Sequence, residues 1–222
     1  MVVKIGIIGG TGREGAGLAL RWGASGEEVI IGSRDAGRAV ETAKRLNRLV
    51  SVAAIHGALN QQAAIEADVA VLTVPYAAHV AVLVEIKKAL RGKLLIDTTV
   101  PFDPKTHEWL PSIHYNSALE EAQEVLGSGV RVVAAFQNIG FHLLKDFRRV
   151  IDCDVLVCGD DADARRLACL LAEKAGLRGV DVGSSRHAGT VERLTPLLMD
   201  LKRCYNTRAA GIRITGLPEH TP

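Results

Sequence analysis

The sequence has no apolar stretch long enough to span a bilayer without charges, which removes the membrane-spanning classes. Charge of one sign is missing too. In 222 residues, 27 Lys and Arg stand against 25 Asp and Glu, a formal net charge of +2, with no basic arm and no long like-charge run. That balance points away from a general nucleic-acid binder and from a membrane-surface protein. Cysteine is scarce: Cys153, Cys158, Cys169 and Cys204 lack metal-site spacing and are expected to be reduced, buried and structural, as in a cytoplasmic chain. No Ser-His-Asp order, metal cluster or paired-carboxylate arrangement stands out, and there is no internal repeat. The N-terminus reads as a strand rather than a signal peptide.

What is present begins at once. The buried-strand pattern Val2 to Ile8 runs into Gly10-Thr11-Gly12-Arg13-Glu14-Gly15, a G-x-G-x-x-G at a strand-to-helix junction. In such a loop Gly10 permits the tight turn, Gly12 lets the backbone approach a pyrophosphate, and Gly15 allows close helix–strand packing. The phosphates would sit at a helix N-terminus, facing free N–H groups and the positive end of the dipole. A second apolar run, Val29 to Gly32, follows at the spacing of a βαβ unit and ends in Ser33-Arg34. An acid at that place would bind the ribose 2′-hydroxyl of NAD, whereas a hydroxyl and a guanidinium suit the 2′-phosphate of NADP. A glycine turn that serves packing alone is the alternative.

Apolar runs then alternate with helix-period stretches, the rhythm of a parallel sheet. Helices are expected from the glycine loop to near Gly26, over Gly37–Leu49 and over Ala77–Leu90, with strands at Val52–Ile55, Val69–Val74 and Leu94–Ile96. The loop Asp97–Pro111 is expected to cross an edge of the fold. Farther on, Ser117 should cap a helix with Glu120 and Glu121 in its first turn. Strands are read at Val130–Phe136, Val155–Val157 and Gly179–Val182, with a helix over Ala164–Ala175 whose preceding acids, Asp160 and Asp161, suit its dipole. A long helix from about Val191 carries Pro196 near its start, and Ile212–Ile214 is read as a last short strand. The fold class is α/β, a Rossmann-type, doubly wound, mainly parallel sheet. Residues 1–150 would form the NADP-binding domain, and 151–222 a smaller α/β domain completing a second-cofactor cleft.

Ligands of such sheets lie beyond the carboxyl ends of the strands. Those ends are the glycine loop, Ser33-Arg34, Thr73-Val74-Pro75-Tyr76, Thr98 to Pro101 and Phe136-Gln137-Asn138-Ile139. Val74, Pro75 and Tyr76 would wall the nicotinamide. His79, one turn after Tyr76, is either a site residue or a half-exposed helix histidine, the commoner outcome. His107, His114, His142 and His187 have no obvious partner in the sequence. Direct hydride transfer between two bound rings needs alignment more than a catalytic side chain, so no catalytic residue is assigned.

Ile7 to Gly12, Ile31 to Arg34, Val71 to Tyr76, Val157 to Asp161, Leu194 to Leu198 and Gly211-Ile212 occur in order along almost the whole chain. In combination they resemble the NADPH-dependent F420 reductases, also called F420H2:NADP oxidoreductases. The resemblance implies a homodimer, NADP on the N-terminal domain and the deazaflavin coenzyme F420 in a cleft beside it. Hydride would pass between nicotinamide C4 and deazaflavin C5. It places Arg38 where a second cation reaches the 2′-phosphate. Val100, at a strand end, is read as cofactor-binding, and the candidates for the second ligand are the backbone of Gln137, Asn138 and Ile139 and the Ala210 backbone. Lys202, Arg203 and Arg208 are either cations for its anionic tail or an ordinary solvated face. Two departures are visible: Gln137 stands where the family carries a ring-contacting histidine, and Asn206 to Ala210 replace a glycine-rich stretch. The same NADP site could instead serve a flavin or another acceptor, or a non-catalytic NADP sensor.

Overall fold

The structure, a computed structural model, describes residues 2–50, 54–103, 105–110 and 114–217. Strands β1 (Lys4–Ile8), β2 (Glu28–Ser33), β3 (Ile55–Leu59), β4 (Val69–Leu72), β5 (Leu94–Asp97), β6 (Arg131–Ala134), β7 (Asp154–Gly159) and β8 (Arg178–Asp181) form one eight-stranded sheet, in the order β3-β2-β1-β4-β5-β6-β7-β8. Every neighbouring pair is parallel except β6 and β7, which run antiparallel through Val133↔Gly159 and Ala134↔Cys158. The doubly wound α/β reading therefore holds. The α-helices are α1 (Arg13–Ala24), α2 (Ala36–Val50), α3 (Asn60–Glu66), α4 (His79–Ile86), α5 (Ala118–Leu126), α6 (Phe141–Leu144), α7 (Ala162–Lys174) and α8 (Ala188–Cys204).

The central strands are apolar at nearly every position because helices cover both faces. Successive side chains point to opposite sides, so each strand feeds two cores. Ile5, Ile7, Val29, Ile31, Val69, Val71 and Ile96 pack with Leu18, Ala19 and Trp22 of α1 and with α2 and α7. Ile8, Ile30, Ala70, Leu72 and Leu95 pack with α3, α4, α5 and α8. Trp22 also donates from Nε1 to the Leu171 carbonyl (2.8 Å) and meets Phe136 edge-on at 5.8 Å. Arg21 is buried beside it. Its guanidinium donates to the carbonyls of Leu143, Leu144, Asp146, Arg149 and Ala175, tying α1 to the second half of the chain.

Several boundaries differ from expectation. Strand β3 begins at Ile55, where the predicted strand ended; residues 52 and 53 lie outside the described residues, and helix α3 follows at once, unforeseen. Helix α8 starts at Ala188, so Pro196 lies inside it rather than near its start. The loop after β5 does not skirt an edge: Asp97, Thr98, Thr99 and Val100 are buried, and Trp109 lies against the Arg193 guanidinium of α8 at 4.2 Å. Ile212–Ile214 forms no strand, yet it runs beside β7, where Asp154 N–H donates to the Ile212 carbonyl (2.8 Å). Cys204 is exposed, unlike the other three thiols. Burial raises Cys158 and Cys169 to about 12, so both stay protonated. The caps follow expectation. Ser117 Oγ accepts from Glu120 N–H (3.1 Å), with Glu120 reaching back to Asn116 N–H rather than to Ser117 (2.8 Å), and Asp161 caps α7 through Ala164 N–H (2.7 Å). No helix among the described residues is long and apolar enough to cross a membrane.

Candidate functional site: a dinucleotide cleft and the carboxylates behind it

A cleft of about 670 Å³ opens beyond the carboxyl ends of β1, β2 and β4. The strand order reverses there, at β1, which is where open α/β sheets bind ligands. Its lining includes Thr11, Gly12, Ser33, Arg34, Arg38, Thr73, Val74 and Pro75, eight residues singled out in the sequence from four separate segments.

The glycine loop is organised one residue earlier than expected. Gly9 carries the left-handed conformation (φ +76°), whereas Gly10 is needed for close approach: a Cβ there would lie 2.8 Å from the Ile7 carbonyl oxygen. Gly10 N–H donates to the Gly32 carbonyl (2.9 Å), locking the loop to β2. Gly15 packs as expected, its hypothetical Cβ only 2.6 Å from Thr73 Oγ1 and 2.7 Å from Gly10 Cα. Gly12 differs: a Cβ there would meet only the Gly9 oxygen, at 3.5 Å. The protein itself leaves that space open, so Gly12 is accounted for by what approaches from outside.

Ser33 is nearly buried and its Oγ accepts from Asp35 N–H (3.2 Å), while Arg34 and Arg38 are exposed at the rim. Asp35 caps α2 through Arg38 N–H (3.1 Å), which places the second arginine beside the first. Sequence reading passed over Asn60. At the start of α3 it is buried, lines the cleft, and its Oδ1 accepts the Gly9 N–H at 3.1 Å, bracing the left-handed turn from a third strand. Its burial and its place at the end of β3 show only in the fold, so the sequence carried no signal for it. Glu85 and Ala81 of α4 line the far wall and carried none either.

His79 does not reach the cleft. It is fully buried, with Nε2 2.7 Å from Asp97 Oδ2 and Nδ1 2.7 Å from Glu121 Oε2, so neither the half-exposed reading nor the cofactor-contact reading stands. Burial lowers its affinity for a proton, but the two carboxylates prevail and raise its pKa to about 9. Asp97 also accepts Thr99 N–H (2.9 Å), and Glu121 receives the Tyr76 hydroxyl at 3.4 Å, which turns Tyr76 toward this network. Glu192 of α8 is buried nearby and accepts Ala118 and Leu119 N–H (2.9 and 3.3 Å) at the N-terminus of α5; burial raises it to about 8. Glu14, in the first turn of α1, is half-buried, and desolvation raises its carboxyl to about 8.

Past β6 the chain turns sharply at Phe136, a buried residue with φ +73°. Gln137, Asn138 and Ile139 follow with their side chains inward: Gln137 Nε2 donates to the Asp97 carbonyl (2.8 Å) and Asn138 Nδ2 to the Asp154 carbonyl (2.6 Å). Ile139 N–H is taken by Phe136 O (3.0 Å), and the Gln137 carbonyl accepts from Thr195 (2.7 Å). Val100 is buried close to the same strand ends, and Ala210 is partly exposed. Arg13 lies outside the dinucleotide cleft, its guanidinium 5.1 Å from the Phe141 ring centre. His142 has a lowered pKa through desolvation and then the charges of Lys202, Lys145, Arg13 and Arg208, so those four cations form one positive patch around it.

Fold and cleft together define a Rossmann-type dinucleotide-binding protein of the oxidoreductase kind. Residues 4–101 match the sequence model of the family described as NADP oxidoreductase, coenzyme F420-dependent. The F420-dependent NADP reductase of Methanothermobacter marburgensis is 46% identical over 226 aligned positions, covering 98% of this chain and 100% of the relative. That of Methanocaldococcus jannaschii is 37% identical, covering 97% and 99%. A solved structure from Arthrobacter sp. FB24, attributed to an F420-dependent NADP reductase, is 27% identical with a TM-score of 0.78, covering 96% and 99%. The chain belongs to the F420-dependent NADP reductase family.

Proposed function

We propose that the protein is an oxidoreductase that moves a hydride directly, ring to ring, between NADP(H) and coenzyme F420. The observation that carries the NADP half is the convergence of Ser33, Arg34 and Arg38 on one rim of the cleft, with Thr11 and the open face of Gly12 beside them. Two guanidiniums and a hydroxyl match a 2′-phosphate. Glu14, Thr73, Val74, Pro75 and Tyr76 then border the nicotinamide half, and His79 serves from behind. The F420 half is assigned to Val100, the Gln137–Ile139 turn and Ala210. The patch of Arg13, Lys145, Lys202 and Arg208 lies ready for an anionic tail.

Bound together, the two cofactors supply the hydride donor and acceptor. The chain's own part is to bind, align and keep water out, and family membership through nearly the full length supports that division of labour. We assign residues 1–150 to the NADP domain and 151–222 to the part that completes the second cleft. We further infer a cytoplasmic homodimer, a state supported by free thiols and by the exposed apolar stripe Leu197, Leu201 and Tyr205 along α8. The test is hydride exchange. NADPH mixed with oxidised F420 should lose its absorbance as F420 is bleached, and FMN in its place should leave NADPH intact. Turnover with FMN alone would move the assignment to a flavin reductase, and no turnover with either would leave an NADP-binding module.

A further inference from the structure

Asn60 holds the glycine loop with one end of its amide, and the other end is free. The residue stands where β3 passes into α3 and is 2% exposed. Its Oδ1 accepts the Gly9 N–H at 3.1 Å, and a Cβ on Gly32 would lie 2.9 Å from the same oxygen. The amide is thus wedged between the ends of β1 and β2. A backbone N–H can only donate, so the atom facing Gly9 is the oxygen and the orientation of the amide is settled. Nδ2 points elsewhere. Among the described residues it has no hydrogen-bond partner, and it does not belong with Thr99 Oγ1, Gln137 Oε1 and Asn138 Oδ1, which are sealed from solvent without one. Asn60 lines the cleft, so the donor opens there.

Bracing Gly9 needs an acceptor alone, which a carboxylate would supply more strongly through a charge-assisted bond. A carboxylate would also carry negative charge to the floor of a cleft that takes phosphates. The amide accepts from the loop and still presents a donor to whatever lies in the cleft.

What that donor meets follows from the NADP reading, on which this inference rests. The adenosine ribose is joined covalently both to the 2′-phosphate, at Ser33 and Arg34, and to the pyrophosphate, over Gly12. It must therefore cross the ends of β1 and β2, above Gly9 and Gly32, the two residues against which Asn60 is wedged. We propose that Asn60 is a cofactor-binding residue whose Nδ2 donates a hydrogen bond to an oxygen of the adenosine ribose. The amide then ties the sugar to the left-handed turn at Gly9 and sets it between the two phosphate sites. The contact lies at the opposite end of the dinucleotide from the nicotinamide. It is equally strong before and during hydride transfer, and so acts on affinity rather than on the chemical step.

Nitrogen–proton correlation spectra of isotope-labelled protein read the donor directly. The side-chain NH2 pair of Asn60, assigned through its own backbone, should respond to adenosine 2′,5′-bisphosphate: one proton should shift downfield and exchange with water more slowly. Nicotinamide mononucleotide, the other half of the dinucleotide, should leave the pair unmoved. Asn60→Asp keeps the acceptor for Gly9 and removes the donor. It should raise KM for NADPH at least about threefold, the loss falling on KM rather than on kcat. An amide pair unmoved with the bisphosphate bound, a response to the mononucleotide alone, or an unaltered KM in Asn60→Asp would overturn the proposal and leave NADP binding in place. Binding of neither the bisphosphate nor NADPH would instead remove the NADP reading and this inference with it.

Discussion

At the rim of the cleft, Arg34 is exposed and unburdened by any structural contact with the core, so its loss should affect ligand rather than fold. A charge-assisted bond to a phosphate contributes about 1.5–3 kcal/mol. Arg34→Ala is expected to weaken NADPH about ten- to a hundredfold and to leave NADH nearly unchanged, as read by fluorescence titration of both. His79 is the opposite case. Its removal leaves Asp97 and Glu121 facing a buried void, and breaking a buried pair of this kind costs about 3–5 kcal/mol. His79→Ala should therefore show its effect in urea denaturation, and protein that remains folded should keep its NADPH affinity. Three of the shifted groups share one sign of pH dependence. His79 (about 6.5 unfolded, about 9 folded) and Glu14 and Glu192 (about 4.5 unfolded, about 8 folded) all bind protons more tightly in the native state. Their stabilisation is complete at low pH and is lost as pH rises through the folded values. The melting temperature should fall steadily between about pH 5 and 9, and His79→Gln should flatten the upper part of that slope.

Two glycines of the β1–α1 connection separate ligand space from packing space. Gly12→Val adds a side chain where the protein has no neighbour closer than 3.5 Å. Circular dichroism should stay native while NADPH binding is lost. Gly15→Ala drives a methyl into Thr73 and the Gly10 backbone at 2.6–2.7 Å. It should lower stability by about 1–3 kcal/mol, the usual cost of overpacking, visible as a reduced denaturation midpoint. Their roles were legible because G-x-G-x-x-G followed a strand. The turn itself was misread by one residue, since only backbone geometry shows that Gly9, not Gly10, is left-handed. Element types along the strands were legible for a related reason: strands buried on both faces are written as unbroken apolar runs. Helix α3 was not, because its short, polar start hides Asn60, whose contact to Gly9 spans 51 residues. The extent of α8 was hidden by Pro196, which a sequence places at a helix start and the fold tolerates inside one.

Across the molecule, the least legible part of the site was its charge. Nothing in the spacing of Glu14, His79, Asp97, Glu121 and Glu192 along 179 positions foretells that five helices and strands bring them together. The same holds for the patch of Arg13, Lys145, Lys202 and Arg208, which joins the first helix to the last. If it grips an anionic tail, F420 binding should weaken as salt rises, because exposed charges are screened beyond about 10 Å at 0.1 M. Arg208→Ala should weaken F420 more than a tail-less deazaflavin, by calorimetric titration of the NADP-loaded protein. The seam between β6 and β7 has a consequence of a different kind. It is antiparallel and only two residue pairs long, whereas β1, β2, β4 and β5 are joined by registers of four. Trp22 and Arg21, reaching across from α1, reinforce that short seam by bonding to the Leu171 and Ala175 carbonyls of α7 and its end. Under native conditions, backbone amides of β7 and β8 should trade deuterium with the solvent through a partial opening, well before those of β1 and β4. Arg21→Met should quicken that opening while the protection of the N-terminal strands changes far less.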